Sequence, residues 1–292
     1  MLNRMLKIAT PALAALLLAS CGGGEFHGVN LAITDGPIDL ASSVNITFSQ
    51  IELTGPNVKP TVLTISPAST IDLYQLQGGL AQTIVTAIQA VPGHYTTLML
   101  TIVADSNSGQ SNILLPDGTH TLYLPPGVSP QVRIPIQFSL ASGGDVNITA
   151  DFDLRKSIIP DPNDPTKYEL IPNVRAVINE DSGSITGEVG SELVTCLEPA
   201  IYVYQGADVT PTDIDIDAPA GRIQPYSSAL VGLNQTSDRY NYTVGFLPPG
   251  AYTLAYTCDA SLDVANQANT LQFTKIIHAT VTADTTTFAN LE

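Results

Sequence analysis

The chain has 292 residues, of which 44% are hydrophobic, and a formal net charge of −16 at pH 7 from 27 acidic and 11 basic side chains. This length and apolar content suffice for one large domain or two ordinary domains. Because the phosphate backbone of a nucleic acid is recognised by cationic side chains, so acidic a chain is a poor partner for nucleic acid.

The first twenty residues (1–20) have the layout of a bacterial secretory signal peptide. Arg4 and Lys7 precede an apolar run over residues 8–18, and small residues follow this run. A run of about eleven residues is too short for a permanent membrane helix, which needs about twenty. We therefore expect these residues to be removed. Since Arg4 and Lys7 leave with them and no Asp or Glu does, the formal charge becomes −18.

Cys21 follows directly, in the position of the cysteine of a bacterial lipobox. The expectation is a lipoprotein whose mature chain begins at Cys21 and carries acyl chains, palmitate among them, which would make the membrane its first partner. Residues 21–25 would be the lipidated cysteine and a glycine tether. Gly22 stands where inner-membrane lipoproteins usually carry Asp, which favours the outer membrane. Whether the protein faces the periplasm or the cell surface does not follow from the sequence. An ordinary cleaved signal with a chance cysteine is the alternative.

Apolar and polar residues alternate along most of the remaining chain, with the period of two of a half-buried strand. The alternating segments are 44–53, 98–102, 132–138 and 146–154. Residues 71–90 instead have Leu and Ile at three- and four-residue spacings, which predicts a short helix or one helical turn. Many β-branched residues, punctuated by Pro and Gly, favour an all-β chain of two prealbumin/Ig-like β-sandwich domains in tandem.

The predicted domain boundary lies at residues 179–182, where one strand ends and an acidic, Gly-containing turn begins. The domains would be 26–180 and 183–292. The segments 92–96 and 249–253 both read Pro-Gly-x-Tyr-Thr, which agrees with two modules of related architecture.

Several separated motifs of the first predicted domain resemble the bacterial domain of unknown function 4382, over roughly residues 26–180. They are Val29 to Asp39, Val44 to Leu53, Ile71 to Gly79 and Asp151 to Ser157. The resemblance implies an exported, often lipid-anchored protein and brings no activity. The segments from Gly183 to Val189 and from Phe246 to Leu254 look like a carboxypeptidase regulatory-like, transthyretin-type sandwich, which implies a non-catalytic scaffold.

Cys196 and Cys258 are the only other cysteines, and an exported chain reaches an oxidising compartment. We expect them to form a disulfide; two buried free thiols are the alternative. Closing a loop of about 60 residues would stabilise the fold by roughly 4 kcal/mol. Two cysteines without nearby histidines do not make a metal site.

Asp151, Asp153 and Arg155 alternate with Phe152 and Leu154, so in one continuous strand they would share a face. Paired carboxylates suit a glycoside hydrolase if they stand in a cleft. The favoured interpretation is a cross-strand charge ladder with Arg155, Arg175 or Lys156.

Asp213, Asp215 and Asp217 repeat every second residue, a spacing that would let their oxygens converge on calcium. Calcium is thus the only candidate cofactor, and a solvated acidic loop is the other interpretation. Asp35 and Asp39 flank a Gly-Pro pair and are expected to cap a turn.

No Gly-x-Ser-x-Gly elbow, phosphate-binding glycine loop or Rossmann motif occurs, and we assign no catalytic residue. The sequence predicts a lipid-anchored cell-envelope protein that acts as a non-catalytic structural or interaction module, with an envelope protein or glycan as partner. A calcium- or carbohydrate-binding surface lipoprotein is the alternative, since the eleven tyrosines could stack on sugar rings.

Overall fold

A computed structural model describes residues 28–292 of the chain. The predicted signal peptide, Cys21 and the glycine tether lie outside these residues, so their roles stay predictions. Within residues 28–292, no helix has both the length and the apolar character needed to cross a membrane.

The first twelve strands form two sheets, here called the N-terminal sheets. The strands are Val29–Gly36 (β1), Ser43–Gly55 (β2), Val58–Asp72 (β3), Gln82–Ile88 (β4), Gly93–Val103 (β5), Asn112–Leu115 (β6), Gly118–Tyr123 (β7), Gln131–Leu140 (β8), Val146–Asp153 (β9), Ile158–Pro160 (β10), Lys167–Leu170 (β11) and Val174–Ile178 (β12). One sheet has the order β12-β9-β1-β4, and the other has the order β10-β11-β7-β6-β2-β5-β8 with β3 beside β2.

Alternating burial explains why these segments pair as a sandwich. Along β8, every second side chain from Val132 to Leu140 is buried and those between are exposed, as expected of a strand with one face against a core. Buried residues of both sheets, including Leu31 and Phe48, share one hydrophobic core. The predicted segments 44–53, 98–102 and 132–138 lie within β2, β5 and β8.

Eight further strands form the C-terminal sheets. They are Gly183–Val189 (β13), Ala200–Gln205 (β14), Ser227–Leu230 (β15), Gly232–Asn234 (β16), Arg239–Leu247 (β17), Gly250–Thr257 (β18), Phe273–Val281 (β19) and Thr286–Phe288 (β20). Their orders are β16-β17-β13-β20 and β15-β14-β18-β19. A second core between these sheets contains Ile185, Leu254 and Tyr256. The prediction of an all-β, β-sandwich chain is confirmed.

Helical structure is confined to single turns within residues 28–292. They are the 3-10 turns Leu73–Leu76, Asn179–Asp181 and Ala260–Leu262, and the α-helical turn Leu154–Ser157 (α1). The helix predicted over residues 71–90 is therefore one turn only. Residues 82–88 form β4, because pairing with β1 supplies their backbone hydrogen bonds.

The two Pro-Gly-x-Tyr-Thr segments have the same local structure. Gly93 begins β5 and Gly250 begins β18. The Tyr95 hydroxyl donates to the Val91 carbonyl, and the Tyr252 hydroxyl donates to the Pro248 carbonyl, both at 2.7 Å. Each tyrosine thus anchors the connection that leads into its own strand, which resembles the tyrosine corner of Ig-like sandwiches.

The strand pairings of residues 28–292 all join residues on the same side of segment 179–182. In the C-terminal part, Cys196 and Cys258 are bonded, with their Cα atoms 5.7 Å apart, so the predicted disulfide is confirmed. It ties the loop before β14 to the end of β18.

Candidate functional site

The predicted charge ladder is present on β9 and its neighbour. In the antiparallel register of β9 and β12, Asp151 lies opposite Arg175, and the Arg175 guanidinium donates to Asp151 Oδ2. Both side chains are mostly buried, so the pair is held in a low-dielectric environment. The cross-strand interpretation of Asp151 is confirmed.

Asp153 ends β9 and caps the turn that follows. Its Oδ1 accepts a hydrogen bond from the Lys156 backbone N–H at 3.2 Å, as an N-cap aspartate does. Its Oδ2 lies 2.7 Å from Lys156 Nζ. Both oxygens of this carboxylate are therefore engaged by one residue.

The expectation that Arg155 shares a strand face with Asp151 and Asp153 is wrong. The strand ends at Asp153 and the chain turns into α1, so Arg155 leaves the sheet. Its Nη2 donates to Asp39 Oδ1 at 2.6 Å and its Nη1 donates to the Tyr202 hydroxyl at 2.9 Å. The Arg155 side chain is 2% exposed, so it is a buried cation.

The turn and the ladder also bind the C-terminal part of the chain, at the two residues that precede β15. Lys156 Nζ donates to the Pro225 carbonyl at 2.6 Å, and Arg175 Nη1 donates to the carbonyl of the next residue, Tyr226. The Arg175 guanidinium carbon lies 4.2 Å from the centroid of the Tyr226 ring, within the range of a cation–π contact. Lys156 of the turn and Arg175 of the ladder thus donate to two neighbouring backbone carbonyls.

An open groove of about 420 Å³ lies where these contacts meet, and we call it the junction groove. One wall comes from the N-terminal part and the other from the C-terminal part. Its lining includes Asp151, Asp153, Lys156, Asn173, Arg175, Gln205, Ile223 and Tyr226. The groove therefore contains Asp151 and Asp153, the two carboxylates that the sequence analysis considered as a hydrolase pair.

Burial shapes the acidity of the carboxylates near the groove. Burial raises the pKa of Asp151, although the Arg175 guanidinium opposes this shift. Asp35, on β1, is also buried, and within residues 28–292 neither of its carboxylate oxygens has a hydrogen-bond partner. Burial raises the pKa of Asp35 well above its usual range, and the charges of Asp151 and Asp153 raise it further. The nearby Leu154 amide opposes this shift only in part.

The turn-capping role expected for Asp35 and Asp39 does not describe their contacts. Asp39 instead binds Arg155, and burial, which is the largest influence, raises the pKa of Asp39 although Arg155 lowers it. Since residues 39 and 155 are 116 positions apart, no local pattern could have paired them.

The arrangement of Asp151 and Asp153 differs from that of a glycosidase pair. A glycosidase needs one carboxyl group free to protonate the leaving oxygen and a second free to act as base or nucleophile. Here Asp151 is paired with Arg175 and Asp153 with Lys156. The paired state favours a role in holding the structure together.

The three aspartates considered for calcium do not converge on an empty site. Arg222 bonds to both Asp213 and Asp215 and so occupies the position between them, while Asp217 is exposed. Within residues 28–292, no group of three or more His, Cys, Asp or Glu side chains is placed to hold a metal ion. A guanidinium thus bonds to oxygens that the alternating spacing would offer to calcium.

Comparison with known families finds one match. Residues 28–172 match the family described as "Domain of unknown function (DUF4382)". The match covers β1 to β11 and all the residues of α1, and it confirms the resemblance of the first predicted domain. It does not reach residues 183–292, so the carboxypeptidase regulatory-like resemblance stays a prediction. No curated protein matches the chain.

Three solved structures show a distant likeness. The minor pilin GBS52 of Streptococcus agalactiae is 11% identical, with 91% of this chain and 95% of that chain covered and a TM-score of 0.21. A leucine-rich repeat protein of Bacteroides thetaiotaomicron is 12% identical, with 90% of this chain and 26% of that chain covered and a TM-score of 0.24. The Bacillus anthracis TIE protein is 10% identical, with 90% of this chain and 33% of that chain covered and a TM-score of 0.20. At these scores none of the three is a guide to function.

Proposed function

We propose that this protein is a non-catalytic structural or interaction module of the bacterial cell envelope, held at the outer membrane by lipid on Cys21. Residues 26–180 and 183–292 would be its two domains. The observation that carries the non-catalytic role is the pairing of Asp151 with Arg175 and of Asp153 with Lys156. The same two cations bind backbone carbonyls of the C-terminal part.

These ion pairs suit a rigid structure better than a catalytic site. A buried carboxylate that is bonded to a cation depends on that partner to offset the cost of its desolvation, so removing either partner is costly. An acid–base catalyst instead needs a group that exchanges its proton during each turnover. The contacts around the junction groove therefore suit a module that presents a fixed shape.

Lipid anchoring rests on the lipobox-like order of residues before Cys21. The test is fractionation of cells that produce the full-length protein or its Cys21→Ser variant, with a radiolabelled palmitate precursor in the medium. We expect labelled wild-type protein in the outer-membrane fraction and unlabelled, released Cys21→Ser protein. Unlabelled wild-type protein in the soluble fraction would contradict the anchor.

The non-catalytic role has a separate test. The Asp153→Asn variant should have a lower melting temperature, because it weakens the contact with Lys156, and it should lose no specific hydrolytic reaction. A variant that kept the wild-type melting temperature but lost a measurable hydrolysis of envelope polysaccharide would make the protein an enzyme.

A further inference from the structure

The ionic groups of the junction groove neutralise one another. Asp151 is paired with Arg175, and Asp153 with Lys156. A second pocket of about 320 Å³ shares Lys156 and Asn173 with the groove, and there Arg222 is paired with Asp215. A charged ligand would therefore meet no uncompensated charge of opposite sign.

The accessible polar groups of the groove are uncharged amides. Asn173 and Gln205 line it from opposite walls, and both residues are exposed. The backbone of Asn173 is fixed, because its N–H donates to Ser157 Oγ at 2.9 Å and its carbonyl accepts the Asp153 N–H at 3.0 Å. A side-chain amide offers donors and an acceptor to a ligand rich in hydroxyl groups.

An apolar surface adjoins these amides. Ile223, which is 48% exposed, lines the groove beside Pro225. The groove and the neighbouring pocket have volumes within the usual range of small-molecule sites, which is about 300–1,000 Å³. The space thus combines uncharged hydrogen-bonding groups with an apolar face.

From this combination we propose that the junction groove binds an uncharged glycan of the envelope, with hydroxyl groups bonded to Asn173 and Gln205 and the apolar face of a sugar ring against Ile223. The inference deepens the proposed function, on which it rests, because it names the partner class of the interaction module. It needs no catalytic group and no metal.

Ligand binding to the native state raises its apparent stability, so thermal unfolding can detect the glycan. The full-length protein would be purified in a detergent without a sugar headgroup. Cellobiose, maltose and N,N′-diacetylchitobiose would be the neutral probes, and digalacturonic acid the anionic comparator, each at 10 mM or about that concentration. We expect at least one neutral disaccharide to raise the melting temperature by roughly 2 °C or more and digalacturonic acid to have a smaller effect.

The Asn173→Ala/Gln205→Ala double variant should lose that shift while its melting temperature without sugar stays near that of the wild type, since both side chains are exposed. Gln137→Ala, on an exposed position of β8, is the matched control and should retain the shift. The proposal is overturned if none of the neutral sugars acts, if only digalacturonic acid acts, or if the double variant responds like the wild type. Each of these results would leave membrane anchoring through Cys21 unaffected, so the two failures are distinguishable.

Discussion

Arg155 contacts Tyr202 of β14: its Nη1 donates to the Tyr202 hydroxyl at 2.9 Å, and its guanidinium carbon is 5.3 Å from the centroid of the Tyr202 ring. The Tyr202 hydroxyl in turn donates to Asp263 Oδ2 at 2.6 Å. With Asp39 on the other side of Arg155, one buried cation joins acidic groups from both parts of the chain.

Replacing Arg155 with methionine, which keeps much of the volume, should be strongly destabilising. The variant leaves Asp39 mostly buried without its cation, and breaking such a pair typically costs about 3–5 kcal/mol. Denaturant unfolding measures the loss. Arg239→Met is the control, because the Arg239–Glu188 pair is exposed and should contribute less than about 1 kcal/mol. Equal effects of the two variants would remove the special role of Arg155.

The raised pKa of Asp35 predicts an unusual dependence of folding stability on pH. The folded-state pKa of this carboxyl is raised, while in the unfolded chain it is near the ordinary value of about 3.9. Between these two pKa values the folded state binds the proton and the unfolded state does not, so this residue makes stability fall as pH rises through that interval.

The Asp35→Asn variant has no ionisable group at this position. We expect it to melt at a higher temperature than the wild type at pH 7 and to show a smaller loss of stability as pH rises from 4. Melting temperatures across that pH range give the comparison. A variant that is less stable than the wild type at pH 7 would show that the ionised carboxylate of Asp35 stabilises the fold.

The Cys196–Cys258 bond closes a segment with a sequence separation of 62. Restricting the unfolded chain over such a loop stabilises a protein by roughly 4 kcal/mol in the chain-entropy account. The Cys196→Ser/Cys258→Ser variant should therefore unfold at a lower denaturant concentration than the oxidised wild type, and reduction of the wild type should have a similar effect. An unchanged midpoint in both experiments would contradict this contribution.

Calcium should leave the 213–217 segment unaffected. Arg222 already engages Asp213 and Asp215, so an ion could bind only by displacing a guanidinium from a well-formed contact. We expect Asp215→Ala and the wild type to have the same response of melting temperature to millimolar calcium. A rise in the wild type that is absent from Asp215→Ala would restore the calcium site.

The sequence predicted those features that depend on short-range patterns. Alternation of apolar residues identified segments such as 132–138 because one face of β8 packs on the core. The Asp151–Arg175 pair was among the expected partners because the alternation over residues 146–154 placed Asp151 on a half-buried strand, where a cross-strand cation was expected. The two remaining cysteines left a single pairing to consider.

Contacts between distant segments were not predictable in this way. The helical turn α1 interrupts the alternation after Asp153 and redirects Arg155. The turn is capped by a single hydrogen bond from the Lys156 backbone N–H to Asp153, which the residue pattern did not predict. Lys156 and Pro225 are 69 positions apart in the sequence and are bonded only in the folded chain, so no local motif predicts their contact. The junction groove, which both walls must form, could appear only with the fold.

Differential scanning calorimetry of the full-length protein tests most directly whether the contacts around Arg155, Lys156 and Arg175 make one rigid module. If they do, the N-terminal and C-terminal sheets unfold together in one transition whose calorimetric and van't Hoff enthalpies agree. Two separate transitions, with the first unaffected by Arg155→Met, would show that the two parts are independent and would contradict a rigid module.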